Sequence, residues 1–351
     1  MRIAVAGCGY WGSKHIRVLH SIAGVDHLVA VDPRQERLRE LKRDYPAIGV
    51  FERLDDALDE VDAVIIATPP ETHGRCAMTA MQAGKSVLVE KPLATSTLDA
   101  RRLVETADKL GLVLGVGHTF EYNAAVWKLR DLLDSGELGR IHYIDSARLN
   151  LGLYQSDVNV IWDLAPHDIS ICNYILRSKP SLVEAWGSRH AHSFLEDVAH
   201  IRLIYNEPDV TADIRVSWLD PCKVRRTTVV GSEKMAVYND MSPDERVRVY
   251  DKGVVPSDPP ALAQMPMSYR VGDIQSPYLR FEEPLLIQDR EFASCVASGA
   301  RPATDGANGI AVVQALEAAA ISLRTGRPVH VSEMQLRLDW DVEPELAAAT
   351  A

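Results

Sequence analysis

A lysine that could exchange a proton follows a strongly apolar run in residues 87–92, Val-Leu-Val-Glu-Lys-Pro. Three apolar residues, two of them β-branched, are typical of the end of a strand buried on both faces of a parallel sheet. Pro92 cannot donate a backbone hydrogen bond and so ends the ladder. Because the carboxyl ends of strands border the ligand crevice in open α/β sheets, Lys91 is predicted to handle a proton there. The alternative is a surface lysine beside a turn.

A carboxylate and an imidazole lie four residues apart in Trp162–Asp168. If this segment begins a helix, with Pro166 tolerated in its first turn, Asp163 and His167 share one helix face. A carboxylate beside an imidazole orients the ring, which suits a general base for a hydroxyl proton. The alternative is that Asp163 caps the helix and His167 only packs. Asp168 points elsewhere and could cap or pair structurally.

A glycine-rich turn follows the first apolar strand, Arg2–Ala6, in the pattern Gly7-x-Gly9-x-x-Gly12. A helical pattern and a second apolar strand then lead to Asp32. Glycines in this pattern let the backbone approach a pyrophosphate at a helix N-terminus, and an acid at this spacing binds a ribose. Since a carboxylate repels a 2′-phosphate, the pattern favours NAD, while the nearby Arg34 leaves NADP open.

The other histidines carry weaker patterns. His73 is interpreted as a helix-start residue near the cofactor, and His118 follows a predicted strand, so it lies near the crevice or acts as a hinge between domains. His190 and His192 alternate as a metal pair on a strand would, but no third ligand accompanies them at fixed spacing. We therefore predict a solvated strand face there and no metal site.

The order of the elements predicts two domains. Strands alternate with helices as far as Val116, which indicates a doubly wound parallel sheet of about six strands. β-rich stretches with one polar face follow between residues 182 and 250 and predict a mostly antiparallel, open-faced sheet in an α+β domain. The Pro-rich stretch Val254–Pro284 is predicted to be a long functional or interface loop. The predicted bounds are 1–121, 122–335 and a tail at 336–351.

Composition limits the partners and the compartment. A net charge of -11 over 351 residues argues against nucleic acid or an anionic membrane as the main partner. The five cysteines are scattered, which indicates reduced thiols in a cytoplasm. The chain begins directly with a strand, without a visible signal peptide, and no apolar run was found to approach membrane-spanning length.

The chain resembles the Gfo/Idh/MocA oxidoreductases, named for glucose–fructose oxidoreductase and inositol dehydrogenase. The resemblance rests on five motifs: the glycine turn, Ala67-Thr68-Pro69-Pro70-x-x-His73, Glu90-Lys91-Pro92, Asp163-x-x-x-His167 and Ser298-Gly299-x-Arg301-Pro302. It implies an N-terminal NAD(P)-binding Rossmann domain and a C-terminal sheet that often joins subunits, hence a homodimer or homotetramer. It also implies that Lys91 is the catalytic lysine and that Asp163 and His167 fill the acid/base positions.

The cofactor site expected on these grounds combines the turns at the ends of four strands. It comprises Gly7, Gly9, Tyr10, Trp11, Gly12, Asp32, Arg34, Thr68, Pro69, His73, Glu90 and Lys91.

Two segments depart from the common family pattern. Asn159–Trp162 replaces a glycine-rich lead-in, and Phe120–Asn123 stands where an arginine is often found. Residues 268–277 and 282–285 instead look like members that oxidise sugar nucleotides, of which UDP-N-acetylglucosamine 3-dehydrogenases are the nearest type.

The expected function is hydride transfer between NAD and a secondary alcohol of a sugar or sugar nucleotide, such as C3 of a UDP-N-acetylhexosamine. The alternatives are an inositol or cyclitol dehydrogenase, an NAD-dependent glycosidase that acts by transient oxidation and elimination, and a non-catalytic NAD sensor.

Overall fold

The computed structural model describes residues 1–152, 154–155, 158–191, 194–256 and 267–336. The strands are β1 (Arg2–Ala6), β2 (His27–Val31), β3 (Gly49–Phe51), β4 (Ala63–Ile66), β5 (Ser86–Glu90), β6 (Leu114–Gly117), β7 (Ile141–Leu151), β8 (Leu182–Ser188), β9 (Val198–Asn206), β10 (Asp209–Ser217), β11 (Leu219–Gly231), β12 (Met235–Asn239), β13 (Val247–Pro256), β14 (Met267–Gln275) and β15 (Val329–His330).

The helices are α1 (Tyr10–Leu19), α2 (Gln35–Asp44), α3 (Leu54–Ala57), α4 (Pro70–Gln82), α5 (Thr97–Leu110), α6 (Ala124–Asp134), α7 (Val160–Leu176), α8 (Pro284–Ser298), α9 (Gly306–Thr325) and α10 (Glu333–Leu336). Two short 3₁₀ helices cover Leu58–Glu60 and Thr119–Tyr122.

The chain divides into two compact units. The first joins Met1–Asn123 to Phe281–Val313, and the second joins Ala124–Arg280 to Gln314–Ala351. The predicted division near residue 121 treated each domain as one continuous stretch. The structure instead returns residues 281–313 to the first unit, because α8 packs against α1 and against the 3₁₀ helix after β6.

Apolar strands flanked by helices build the first unit. Its strands form one sheet in the order β3-β2-β1-β4-β5-β6, and every pair is parallel. The core side chains of β1, β4 and β5 are almost completely buried, as expected where helices cover both faces of a sheet. The doubly wound parallel sheet is thereby confirmed. Its carboxyl edge carries the glycine turn and the segments after β2, β4, β5 and β6.

A nine-stranded sheet forms the centre of the second unit, in the order β14-β13-β12-β11-β7-β10-β9-β8-β15. The β7–β10 pair is parallel and the other pairs are antiparallel. Alternate residues of β9, among them Ile201, Leu203 and Tyr205, are buried while the residues between them are more exposed. This alternation is typical of a sheet that a helix covers on one face, and α7 packs on β7, β9 and β10. The mostly antiparallel sheet is also confirmed.

The predicted long loop at Val254–Pro284 is wrong in part. Its residues Met267–Gln275 form β14, which pairs antiparallel with β13 at the edge of the sheet. The strand was missed because most of its residues are exposed, so it has no alternation between apolar and polar positions. Residues 257–266 of this segment, and 337–351 of the predicted tail, lie outside the described residues.

Two smaller predictions also change. His190 lies in a bend after β8 rather than on a strand, next to the Ser188 hydroxyl at 2.8 Å, and His192 lies outside the described residues. Helix α9 is long and apolar enough to cross a membrane, contrary to the prediction that no apolar run approaches that length. However, 67% of its apolar window is buried inside the protein.

Candidate functional site

The glycine turn between β1 and α1 is shaped by close backbone contacts. Gly7 has a φ of +88°, and a Cβ at this position would lie 2.6 Å from the Ala67 carbonyl oxygen. A Cβ at Gly12 would lie 1.8 Å from the Gly7 carbonyl oxygen. Neither position accepts a side chain without a backbone shift, so the packing of the unit itself requires both glycines.

Gly9 differs from the other two glycines, because a Cβ there would meet only the Arg34 guanidinium, at 4.0 Å. No side chain caps the N-terminus of α1, so the amide groups of its first turn remain for another acceptor. Tyr10 and Trp11 are both exposed beside them. A free helix N-terminus beside an open glycine fits the pyrophosphate of a dinucleotide.

Asp32 is buried at the end of β2 and accepts hydrogen bonds on both carboxylate oxygens. The Cys8 amide donates at 2.8 Å, and Arg34 donates from its amide and from two guanidinium nitrogens at 2.9 Å each. Burial opposes ionisation, but the bonds from Arg34 and Cys8 outweigh it and lower the pKa of Asp32. Asp32 is therefore ionised and lies beside an exposed arginine.

The turn between β4 and α4 is fixed by His73. Its Nδ1 lies 2.7 Å from the Pro92 carbonyl oxygen and its Nε2 lies 2.8 Å from the Thr68 carbonyl oxygen. Burial lowers the pKa of His73, which favours the neutral ring, so the ring donates its single N–H to one of these carbonyl oxygens and only contacts the other. The histidine predicted for the cofactor site thus connects the segment after β4 with the turn after β5. The Thr72 hydroxyl donates to the Thr68 hydroxyl at 2.7 Å and tightens the same turn.

Glu90 and Lys91 lie at the carboxyl end of β5, where Glu90 pairs with Gly117 of β6. The Lys91–Pro92 peptide bond is cis. One oxygen of the buried Glu90 carboxylate accepts the Lys91 backbone N–H at 3.1 Å. Burial raises the pKa of this carboxyl, but the contacts with His15 and with Lys91 together outweigh burial and lower it. Lys91 itself is partly exposed.

His15 belongs to this site, although no local sequence pattern indicated it. Its Nε2 lies 3.1 Å from Glu90 and its Nδ1 lies 2.8 Å from Asp289 of α8, and the His15 and Asp289 side chains are completely buried. Burial opposes protonation, but the two carboxylates together raise the pKa of His15 to about 10. Asp289 follows His15 by 274 residues, so no local pattern could have connected them.

His118 follows β6 in the first unit and is completely buried. Neither of its ring nitrogens has a hydrogen-bond partner among the described residues. Burial lowers the pKa of His118 to about 4, so the ring is neutral at ordinary pH. This side chain is the kind of unpaired buried group that a bound ligand or water would satisfy.

The segment Phe120–Asn123, which departs from the common family pattern, is held by polar contacts within the first unit. Both carboxylate oxygens of Glu121 accept hydrogen bonds from the Asn308 amide, at 3.1 and 3.0 Å. The Tyr122 hydroxyl donates to Glu291 of α8 at 2.5 Å. Glu121 and Tyr122, in the segment where an arginine is often found, thus form hydrogen bonds within the first unit.

The second unit carries Asp163 and His167 on α7. The helix begins at Val160, and Asn159 caps it by accepting the Trp162 amide at 3.3 Å. Asp163 is therefore not the cap; its carboxylate accepts the Trp218 indole N–H at 2.9 Å. His167, one turn later, is 9% exposed.

Two expectations about this helix are corrected. Pro166 lies inside α7 rather than in its first turn, because the helix begins six residues before it. Asp168 takes the structural alternative: it pairs with Arg148 of β7 at 2.6 Å and accepts the Ser146 hydroxyl at 2.7 Å. All three residues are buried, so this ion pair fastens α7 to the sheet.

The predicted residues thus fall into two sets. The first unit brings the glycine turn, Asp32, Thr68, His73 and Lys91 to one edge of its sheet, and the second unit carries Asp163 and His167 on one helix. Among the described residues, no group of three or more His, Cys, Asp or Glu side chains could hold a metal ion.

The strand order and the glycine turn with its buried acid define a dinucleotide-binding protein. Residues 1–118 match the model of the oxidoreductase family with an NAD-binding Rossmann fold, and residues 126–237 match the GFO/IDH/MocA C-terminal domain. The chain therefore belongs to the Gfo/Idh/MocA oxidoreductases, an enzyme family, and its first unit is an NAD-binding Rossmann domain.

Named relatives act on different alcohols. The chain is 26% identical to a myo-inositol 2-dehydrogenase of Thermotoga maritima, over 95% of this chain and 99% of the relative. It is 34% identical over 189 residues to a UDP-N-acetylglucosamine 3-dehydrogenase of Acidithiobacillus ferrooxidans, over 53% of this chain and 58% of the relative.

A solved structure with bound cofactor is similar over almost the whole chain. The crystal structure of GenD2 from gentamicin A biosynthesis, in complex with NAD, matches with a TM-score of 0.79 and 26% identity. The match covers 94% of this chain and 96% of GenD2. The coarse class, an NAD-dependent dehydrogenase of the sugar and cyclitol family, follows from these comparisons together.

Proposed function

We propose that the protein oxidises a secondary alcohol of a sugar or sugar nucleotide, with C3 of a UDP-N-acetylhexosamine as the leading substrate. NAD, when bound, accepts the hydride. Lys91 polarises the substrate oxygen, and His167, oriented by Asp163, takes the hydroxyl proton. The observation that carries this proposal is the position of Lys91, at the carboxyl end of β5 and directly after the ionised, buried Glu90.

The acid/base roles are supported by how each unit presents its residues. The carboxyl edge of the parallel sheet is where open α/β proteins bind ligands, and Lys91 lies there beside the segment that His73 fixes. On α7, Asp163 lies one turn before His167, so both side chains lie on one helix face. A carboxylate in that position favours the tautomer of the imidazole that accepts a proton.

The cofactor contacts are proposed from the donors and acceptors present. The amides at the N-terminus of α1 would hold the pyrophosphate beside Gly9, and Asp32 would accept hydrogen bonds from the ribose. Thr68 and Pro69 would line the nicotinamide end. Arg34 beside Asp32 is the feature that would allow some use of NADP.

The substrate class is supported by the similarity to the UDP-N-acetylglucosamine 3-dehydrogenase and by the residues at 268–277 and 282–285. A cyclitol substrate is the second candidate, because the match to the myo-inositol enzyme extends over nearly the whole of both chains. The glycosidase and the NAD sensor remain alternatives that the same experiment separates.

The test is NADH formation from NAD with UDP-N-acetylglucosamine, other nucleotide sugars and inositols as substrates. Lys91→Ala and His167→Ala should each lower kcat on the order of 10²–10⁴-fold, the usual share of acid/base catalysis, while NAD affinity changes little. Lys85→Ala, directly before β5, and His142→Ala, on the exposed start of β7, are the matched controls.

Each outcome has a stated meaning. Oxidation of inositols alone would replace the sugar nucleotide with a cyclitol. Cleavage of a glycoside without net NADH would support the elimination mechanism, and NAD binding without any turnover would support a sensor. Near-normal turnover in both variants would refute the assigned roles of Lys91 and His167.

We also propose that the protein is a cytoplasmic homodimer or homotetramer joined through the sheet of the second unit. Exposed apolar side chains on β14, including Tyr269, Val271 and Ile274, support such an interface. All five cysteines are free thiols, which fits a reducing compartment. Light scattering coupled to size-exclusion chromatography should give two or four chains per particle, and Val271→Glu should reduce that number.

A further inference from the structure

Three ionisable side chains from distant parts of the sequence meet inside the first unit. His15 of α1 lies between Glu90 of β5, at 3.1 Å from its Nε2, and Asp289 of α8, at 2.8 Å from its Nδ1. All three side chains are less than one-tenth exposed. Burying such groups costs free energy unless each is paired, so this cluster requires an explanation beyond packing.

The geometry indicates how the cluster is charged. Each ring nitrogen of His15 faces a carboxylate oxygen, and an imidazole can donate to both only when it is doubly protonated. Two carboxylates at hydrogen-bond distance stabilise that form. The Gln288 amide donates to the other oxygen of Asp289 at 3.3 Å, which anchors the far end of the cluster.

The near end of the cluster reaches the proposed catalytic lysine. One oxygen of Glu90 faces His15, and the other accepts the backbone N–H of Lys91. Glu90 also packs against the backbone of Gly117, where a Cβ would approach it to 3.0 Å. The Lys91 charge is among those that lower the pKa of Glu90, after the effects of burial and of His15, so the two charges interact.

We propose that His15 and Asp289 are positioning residues for Lys91. They hold the Glu90 carboxylate ionised and in one orientation, and Glu90 in turn fixes the backbone and the electrostatic surroundings of Lys91 at the edge of the sheet. This inference rests on the proposed function for its catalytic meaning, but the placement of Lys91 is measurable without catalysis.

The test compares variants that remove one charge and keep the size of the side chain. Asp289→Asn leaves an oxygen that still accepts from His15, and His15→Gln replaces the ring with a neutral amide. Glu291→Gln is the matched control, because it removes a carboxylate from the same helix that contacts Tyr122 and not His15. Thermal denaturation shows which variants are folded.

The first measurement does not depend on turnover. Lysines are labelled by reductive methylation with ¹³C, and the Lys91 signal is assigned with Lys91→Arg. We expect this signal to shift in Asp289→Asn and in His15→Gln, and to stay unchanged in Glu291→Gln. An unchanged signal in folded Asp289→Asn would overturn the positioning role, and because that variant is the milder of the two, the test survives if His15→Gln does not fold.

The second measurement connects placement with catalysis. Asp289→Asn should lower kcat by about 10- to 100-fold, as expected when a reacting group is misplaced, while the Kd of NAD changes less than about twofold. A loss of NAD affinity with unchanged kcat would overturn the proposal. If the Lys91 signal shifts but Lys91→Ala keeps its turnover, the positioning stands and the proposed function fails, so the two hypotheses are separable.

Discussion

Replacing Gly12 by alanine would place a methyl carbon 1.8 Å from the Gly7 carbonyl oxygen. Since a carbon and a carbonyl oxygen approach to no less than about 3.3 Å, the start of α1 and the turn before it must separate by about 1.5 Å. The opposing atom belongs to the backbone and cannot rotate away. We expect the free energy of unfolding to fall by about 3 kcal/mol, at the upper end of the range for overpacking, and Tm to fall on the order of 10 °C.

Gly9→Ala tests the role of the same turn in binding NAD. Its Cβ would meet only the end of the Arg34 side chain, at 4.0 Å, so the protein without cofactor should lose much less Tm than Gly12→Ala, with only the small cost of alanine at the N-cap of α1. The methyl group would stand where the pyrophosphate approaches the backbone, and the Kd of NAD should rise at least about tenfold.

Gly74→Ala supplies the control for both variants. Gly74 lies inside α4, and its Cβ would approach only Asp99, at an ordinary 3.9 Å. Alanine there should leave NAD affinity unchanged and raise the free energy of unfolding by about 0.5–1 kcal/mol. Differential scanning calorimetry and fluorescence titration with NAD measure both quantities. If Gly9→Ala lowered the Tm as much as Gly12→Ala without weakening NAD, the division between a packing glycine and a ligand glycine would be wrong.

Three further expectations concern charges. Asp32→Ser removes the carboxylate that repels a 2′-phosphate and frees the Arg34 guanidinium beside it. The ratio of kcat/KM for NADP to that for NAD should therefore rise at least about tenfold. An unchanged ratio would show that Asp32 does not bind the ribose. The pKa of His15 is raised from 6.5 to about 10 in the folded protein, so the stability it contributes is complete below pH 6.5 and is lost as the pH rises to about 10. In urea denaturation, the difference in the free energy of unfolding between the wild type and Asp289→Asn should therefore shrink between these two pH values. A constant difference would contradict the assignment. Asp168→Asn removes the carboxylate that pairs with buried Arg148 and should cost about 3–5 kcal/mol in the same assay. A cost below about 1 kcal/mol would show that the pair is not structural.

Local patterns in the sequence were sufficient to predict the nucleotide-binding half of the fold. Residues that lie close along the chain form the glycine turn, its flanking strands and Asp32, so their spacing carries the information directly. The position of Lys91 could be predicted for a related reason. The end of a buried strand lies at an edge of its sheet, whichever strands pair with it. The second sheet was predicted as mostly antiparallel from alternation alone.

Other features depend on partners that are distant in the sequence. The edge strand β14 exists because β13 pairs with it, although its exposed residues show no period. Asp168 is an ion-pair residue because α7 packs on the β7 strand that carries Arg148. A single segment of sequence could therefore not decide whether residues 267–275 form a strand or a loop, or whether Asp168 caps a helix or forms an ion pair.

Lys91 and the cluster of His15, Glu90 and Asp289 likewise combine local features with contacts that only the tertiary structure makes. Sequence alone determined that a lysine ends an apolar strand and that a histidine follows a glycine turn, because those facts are local. Only the tertiary structure decided that His15 bridges Glu90 and Asp289, since the return of α8 to the first unit brings a carboxylate from 274 residues away. Inside a water-excluded core such charges must find partners, and the fold supplies them.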